Sequence, residues 1–252
     1  MKLDNIFSDS EKDLAPIFSS NMVLITIVNL WVLGIILVLT WPYSPLFEYI
    51  QSFRIPHTYL GIFVGSLIMI SYMNLRCALG EIIPKGGFAR SEREGLTTFE
   101  EERDYLSYEF PHSVFHTLVL HLLILPFLII GAATTGVALP AFFLGLAILF
   151  TASLLCRVVS FFFLLVLGRW RLTGYLGARV FYLLFLFATA FFAPFLNPVL
   201  LLGNLHYGER VPMGPIISTP LPYFLAVLSA LLLFFLVNQW ILRHNIRKRS
   251  TW

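Results

Sequence analysis

Charge-free apolar blocks recur along this chain, separated by shorter polar stretches. A hydrocarbon core of ~30 Å takes about 20 apolar residues in a helix, and Asn21–Thr40, Ser113–Gly131 and Leu221–Leu242 have that length. Thr58–Leu75 is at the short end, and Val180–Leu196 is strongly apolar. Val137–Leu167 is longer, at 31 residues, or roughly 46 Å as a helix. Arg157 lies about 30 Å along it, which predicts a far-interface position with the stem snorkelling to the headgroups. Two spans broken at Arg157 are the alternative, but neither Pro nor Gly marks a break there, so the block counts as one. The expectation is an all-α, polytopic membrane protein with six transmembrane helices (21–40, 58–75, 113–131, 137–167, 180–196, 221–242) in a single domain, 1–252.

Composition agrees. Hydrophobic residues make up 58% of the 252 and charged residues 12%, with a mean hydropathy of +0.82. Soluble domains carry about 25% charge. That excludes an ordinary soluble domain, a disordered chain and a nucleic-acid binder, and makes membrane lipids the surrounding partner. Cys77 and Cys156 form no metal or redox spacing and need not pair. Residues 1–20 lack the early apolar core of a signal peptide. Leu3, Ile6, Phe7, Leu14, Ile17 and Phe18 among Asp4, Asp9, Glu11, Lys12 and Asp13 fit an amphipathic surface helix or a polar tail.

Lys and Arg set orientation. With six spans, both termini share a side with the loops Arg76–His112 and Gly168–Arg179. That side holds 14 of the 17 basic residues; the other holds Arg54 and Arg210, and Arg157 is the seventeenth. Both termini are therefore expected in the cytoplasm, with the chain in the inner (plasma) membrane. Arg243, Arg247, Lys248 and Arg249 read as a stop-transfer anchor. Trp41, Tyr43, Phe47, Tyr49 and Tyr207 on the outer side match interfacial aromatic belts. Pro194, Pro198, Pro212, Pro215, Pro220 and Pro222 predict a kinked, re-entrant or interfacial stretch before the last span.

Catalytic signatures are missing. There is no GxxxxGK[ST] phosphate loop, no HExxH, no GxSxG and no paired-cysteine motif. The six blocks contain no Asp or Glu, which argues against a proton pump or a self-powered secondary transporter. No enzymatic activity and no cofactor of the chain's own are expected. His112, His116 and His121 cluster at the start of the third block, and His57 precedes the second. They read as structural or interfacial, with haem or metal ligation and substrate contact as alternatives.

The loop Arg76–His112 is the most informative segment. Pro84, Gly86 and Gly87 make a turn, and Ser91-x-x-Glu94 and Thr97-x-x-Glu100 each fit a capping box. Glu100, Glu101, Glu102 and Asp104 follow, where carboxylates favour the positive end of a helix. A short acidic helix to about Glu109, stopped by Pro111, is predicted. Its carboxylates suit either plain solvation or docking into a basic groove.

The stretch FARSEREGLTTFEE resembles the segment between the second and third spans of type-2 ABC-exporter permeases. Glu92, Arg93, Glu94 and Gly95 match that family's E-R-E-x-G portion, Glu100 falls in the following region, and Pro111 with Ser113 resembles its turn. LNPVLLLGNL (Leu196–Leu205) is similar to its Pro-containing segment after the fifth span. Gly95 and Pro111 stand wider apart than in the family, and Phe99 with Glu100 replaces its leucines. The resemblance implies a permease half that forms a homodimer or heterodimer with a second permease. ATP-binding cassette subunits would dock on a coupling helix carrying Glu92, Arg93, Glu94, Gly95, Glu100, Glu101, Glu102 and Asp104, and ATP would be bound by those partners. It also implies a path where the first, second and fifth spans meet, with Gly61, Gly65 and Ser66 permitting close approach. Phe181, Phe185, Phe187, Phe191, Phe192 and Phe195 suit lipid contact or an apolar conduit. Two readings stand beside it: a non-transporting scaffold subunit of a larger complex, which composition fits equally, and a haem-binding electron-transfer subunit, which the histidines alone motivate.

The orientation is directly measurable. Reporter fusions at either terminus and within Arg76–His112 are expected to report the cytoplasm, and a periplasmic or extracellular signal from that loop would reverse the assignment.

Overall fold

A computed structural model gives the fold for residues 20–41, 57–82, 110–166, 171–207 and 220–249. These residues form seven α-helices: α1 (Ser20–Leu39), α2 (His57–Ile82), α3 (Phe110–Thr135), α4 (Leu139–Val166), α5 (Arg171–Phe192), α6 (Pro198–Tyr207) and α7 (Leu221–Arg249). A 3₁₀ turn, Pro194–Leu196, joins α5 to α6. No strand occurs among the described residues. Four helices are long and apolar enough to cross a membrane, through Thr58–Leu75, Ser113–Thr135, Leu139–Phe163 and Leu221–Ile241. Val23–Leu39 and Leu176–Phe192 are shorter apolar helices.

Prolines start helices here more often than they break them. Pro111, Pro140, Pro198 and Pro222 occupy the first or second position of α3, α4, α6 and α7. Proline's missing N–H has no intrahelical acceptor to lose there, and its fixed φ suits the first turn. Pro111 therefore sits in the first turn of the third helix, and the acidic helix expected before it lies outside the described residues. Pro126 lies inside α3 without ending it. Helix continuation is the best-satisfied arrangement for the backbone around it in apolar surroundings.

Two expected loops are shorter than the charge pattern suggests. α2 continues through Arg76 and Cys77 to Ile82, because no Pro or paired Gly arrives before Pro84. α5 begins at Arg171, well before Val180. Charged residues mark where chain leaves hydrocarbon, which is not where helical hydrogen bonding stops. The 1–20 segment lies outside the described residues apart from Ser20, which starts α1. The acidic segment 83–109 also lies outside them.

α4 is the hub, in contact with α2, α3, α5, α6 and α7. Ile148, Leu149, Ala152, Val158 and Val159 on it are buried. α2 packs along it with Tyr59, Ile62, Phe63, Leu67 and Ile70 buried, and α1 and α3 cover the rest of α2. Close approach is made with glycine. A Cβ on Gly61 or Gly65 would stand 3.1 or 3.0 Å from Ile36 of α1, so these small residues serve contact within the chain. The α3–α4 hairpin closes through Gly136 at φ +68°. Val137 N–H reaches Ala132 O at 3.1 Å and Gly136 N–H reaches Ala133 O at 3.4 Å, the two bonds of a Schellman cap. α1, α5 and α7 turn apolar faces outward, among them Val28, Trp31, Leu183, Leu184, Phe187 and Leu232.

Gly145 tests the α2–α4 seam. An added Cβ there would meet Phe63 at 2.8 Å and the Tyr59 hydroxyl at 3.0 Å. Gly145→Ala is expected to lower stability by about 1–3 kcal/mol through overpacking. Gly203→Ala, whose Cβ would touch only Leu60 at an ordinary 3.8 Å, should leave it unchanged or slightly raised. Unfolding in detergent against added dodecyl sulfate measures both.

Candidate functional site

Arg157 is the largest fully buried side chain among the described residues, 1% exposed. Snorkelling to an interface, expected from its place in the apolar block, is not what it does. Its guanidinium turns inward and bonds side chains of α2 and α3. Nε donates to Ser113 Oγ at 3.1 Å, and Nη2 donates to His116 Nδ1 at 3.0 Å. Nη1 makes a longer contact, 3.4 Å, with Asn74 Oδ1. Burying a cation without partners is prohibitive, and the planar fork of arginine presents several donors at fixed angles. A lysine ammonium could not span the same three acceptors. The helix beyond Arg157 is likewise interior, since Val158, Val159, Ser160 and Phe161 are all buried.

The partners are fixed in turn. Asn74 Nδ2 donates to Ser153 O of α4 at 3.1 Å, and Thr117 Oγ1 donates to Asn74 Oδ1 at 3.3 Å and to Ser113 O at 2.8 Å. Asn74, Ser113, His116, Thr117 and Ser153 are each at most 4% exposed. Because a guanidinium has no acceptor, His116 Nδ1 must carry the lone pair, and the neutral ring holds its proton on Nε2. The cluster binds the end of α2's apolar stretch, the first turns of α3 and the second half of α4 into one unit. Those are the two helices that flank the acidic segment, plus the hub.

Smaller polar contacts continue along α4. His121 Nδ1–H donates to Thr117 O at 2.6 Å, and its ring sits edge-on to Phe150 at 5.5 Å. Ser71 and Tyr182 join hydroxyls at 3.0 Å between α2 and α5, beside the free, buried Cys156. Tyr223 donates to Ile148 O at 3.2 Å and Asn238 to Val158 O at 3.2 Å, which ties α7 to the hub. Asn197 caps α6: its Oδ1 accepts from Val199 N at 3.0 Å and Leu200 N at 3.1 Å. Its Nδ2 donates to Leu186 O at 2.8 Å.

Of the residues singled out from sequence, Glu92, Arg93, Glu94, Gly95, Glu100, Glu101, Glu102 and Asp104 lie outside the described residues. His116 bonds Arg157 and His121 bonds a backbone carbonyl. Among the described residues no group of three or more His, Cys, Asp or Glu could hold a metal. The stretch expected to be kinked before the last span begins with the 3₁₀ turn and α6, whose Leu201 and Leu202 are buried, and its residues 208–219 lie outside the described residues. The Arg157 cluster itself was missed. The available signal was depth: Asn74 ends one block, Ser113 and His116 begin the next, and Arg157 falls late in the third, all toward the same side.

Compared with protein families, curated proteins and solved structures, the chain matches none of them. The class rests on the fold: the described residues are all-helical, with four helices long and apolar enough to span a bilayer, the make-up of a multi-pass membrane protein.

Arg157→Lys keeps the charge and loses the fork, so a loss of about 1–3 kcal/mol is expected from the acceptors left unsatisfied. Combined with Ser113→Ala, a double-mutant cycle should give a coupling of roughly 0.5–3 kcal/mol. Additive losses in detergent unfolding would mean the contact carries nothing.

Proposed function

We propose that this chain is the permease subunit of an ABC transporter, half of a translocation path worked by separate ATPase subunits. In this reading six helices cross the inner membrane, with α1 and α5 spanning alongside the four longer ones and both termini in the cytoplasm. The acidic segment between α2 and α3 receives the ATP-binding cassette subunits through Glu92, Glu94 and Glu100–Glu102, with Arg93, Gly95 and Asp104 in the same coupling element. ATP is bound by those partners, and this chain contributes neither cofactor nor catalysis.

The observation that carries the reading is the Arg157 cluster. A coupling segment moves a path only if its two flanking helices pass the motion on to the rest of the bundle. Asn74 at the α2 end and Ser113 and His116 at the α3 start are both tied to Arg157 of the hub helix. A push on the segment therefore displaces α2, α3 and α4 together. Of the helices that the family resemblance brings to a permease–permease contact, α2 is enclosed by its own chain, whereas α1 and α5 offer outward apolar faces. The second permease, a like or a sister copy, accordingly meets α1 and α5. Phe187, Phe191 and Phe192 point outward from α5, toward lipid or that partner, and an amphipathic or lipid-like cargo suits such walls.

Purification from the native membrane is expected to bring down a chain with a phosphate-binding loop. Charge reversal at Glu92, Glu94 and Glu100–Glu102 should lower the ATPase activity of that complex at least severalfold. Unchanged activity would remove the coupling role. A stable complex with no nucleotide-binding chain would replace the permease reading with the scaffold one.

A further inference from the structure

We propose that the outward face of α7 binds an anionic phospholipid, its phosphate held at Arg243 and Arg247 and its acyl chains laid along the leucines below them. Leu225, Leu228, Leu232, Leu236 and Trp240 are exposed. Each follows the last by three or four residues, so they form one stripe along the helix. Arg243 and Arg247 continue that spacing and fall in register with the stripe. Tyr223, Val227 and Leu231 take the other side of α7 and are buried. Lys248 and Arg249 come one and two residues after Arg247 and leave the face.

Depth along the helix matches an amphiphile. The apolar stretch of α7 ends at Ile241, and the helix continues to Arg249. At 1.5 Å per residue, Arg243 stands about 3 Å and Arg247 about 9 Å past Ile241. The headgroup layer is about 5–8 Å thick on each side of the hydrocarbon, so the two arginines bracket it. Trp240 lies just inside, at the level where indole rings favour the interface. Leu228 to Trp240 cover about 18 Å, enough for the tails of one leaflet of ~15 Å.

Charge selects an anionic headgroup. Tyr223 bonds Ile148 O and Asn238 bonds Val158 O, so α7 runs parallel to α4 and ends where the Arg157 cluster lies. The end of α2 and the start of α5 stand at the same end and bring Arg76 and Arg171, against Glu81 as the one acid among the described residues. Arginine's planar fork meets phosphate oxygens in pairs. The other outward faces lack this match. α1 has no Lys or Arg from Ser20 to Leu39. On α5, Arg171 is out of register with the exposed Val180, Leu184 and Phe187, and Arg179 lies over the Tyr72 ring at 4.9 Å. The site rests on the membrane-spanning reading and needs no partner protein, so it stands or falls apart from the permease one.

Quenching of tryptophan fluorescence by brominated lipid tests it on the full-length chain, with Trp31, Trp41, Trp170 and Trp252 changed to Phe so that Trp240 alone reports. The bilayer is phosphatidylcholine with a minor share of phosphatidylglycerol, and one lipid or the other carries bromine on its acyl chains. A basic residue near an anionic surface is worth about fivefold in association. Trp240 should therefore prefer phosphatidylglycerol over phosphatidylcholine at least about fivefold. The preference should vanish in Arg243→Gln/Arg247→Gln. Lys248→Gln/Arg249→Gln removes the same charge off the face and should keep most of it. No preference at Trp240, as when a partner protein or residues 83–109 take the arginines, overturns the site, and so does an equal loss in the two double variants. Where the four-Phe variant fails to fold, native mass spectrometry of the unaltered chain reads the same preference, and retention of both lipids alike overturns the site.

Discussion

A permanently charged side chain enclosed by apolar helices is the constraint around which this bundle is organised. The Arg157 guanidinium cannot lose its proton, and desolvating it without partners is untenable. Its place in the fold therefore dictates what stands nearby. Ser113, His116 and Asn74 supply acceptors from two other helices. Those helices must hold their register against α4 to within hydrogen-bond tolerance. In a bilayer, where burial of apolar surface does not by itself choose between protein and lipid neighbours, such polar contacts and close glycine packing carry much of the specificity. Both are present here: the Arg157 cluster near one end of α4, and the Gly145 seam against Tyr59 and Phe63 toward the other.

The helical, membrane-spanning character was legible because it depends on length and hydropathy alone. Thr58–Leu75, Ser113–Gly131 and Leu221–Leu242 each lie on one of the four long apolar helices, and Val137–Leu167 overlaps the fourth, Leu139–Val166. Boundaries were less legible, for a physical reason. Arg76 and Arg179 bound the apolar blocks, but backbone hydrogen bonding persists until a residue forbids it, so α2 runs to Ile82 and α5 starts at Arg171. Proline has two readings as well: Pro111 can end what precedes it, and it also fits the first turn of α3, where it stands.

The site was hidden for a different reason. An isolated arginine late in an apolar block has a cheap explanation in snorkelling, which treats one helix at a time. Only the relative placement of three helices reveals that Asn74, Ser113 and His116 converge on it. Histidines near a span end similarly suggest interfacial or ligand roles until the Nη2–Nδ1 contact assigns one of them. The acidic segment, conspicuous in sequence, owes its interest in three dimensions to the helices on either side of it.

The order of these partners along the chain bears on biogenesis. Asn74 belongs to α2, Ser113 and His116 to α3, and Arg157 to α4, so every acceptor is synthesised before the donor that needs it. The tight turn at Gly136 delivers α3 and α4 as a hairpin. When the arginine leaves the ribosome and approaches the lipid, a ready-made polar berth already lies in the adjacent helix, and the penalty of an unaccompanied cation in hydrocarbon is avoided. Vectorial synthesis and membrane integration thus favour the native arrangement over one in which α4 inserts alone.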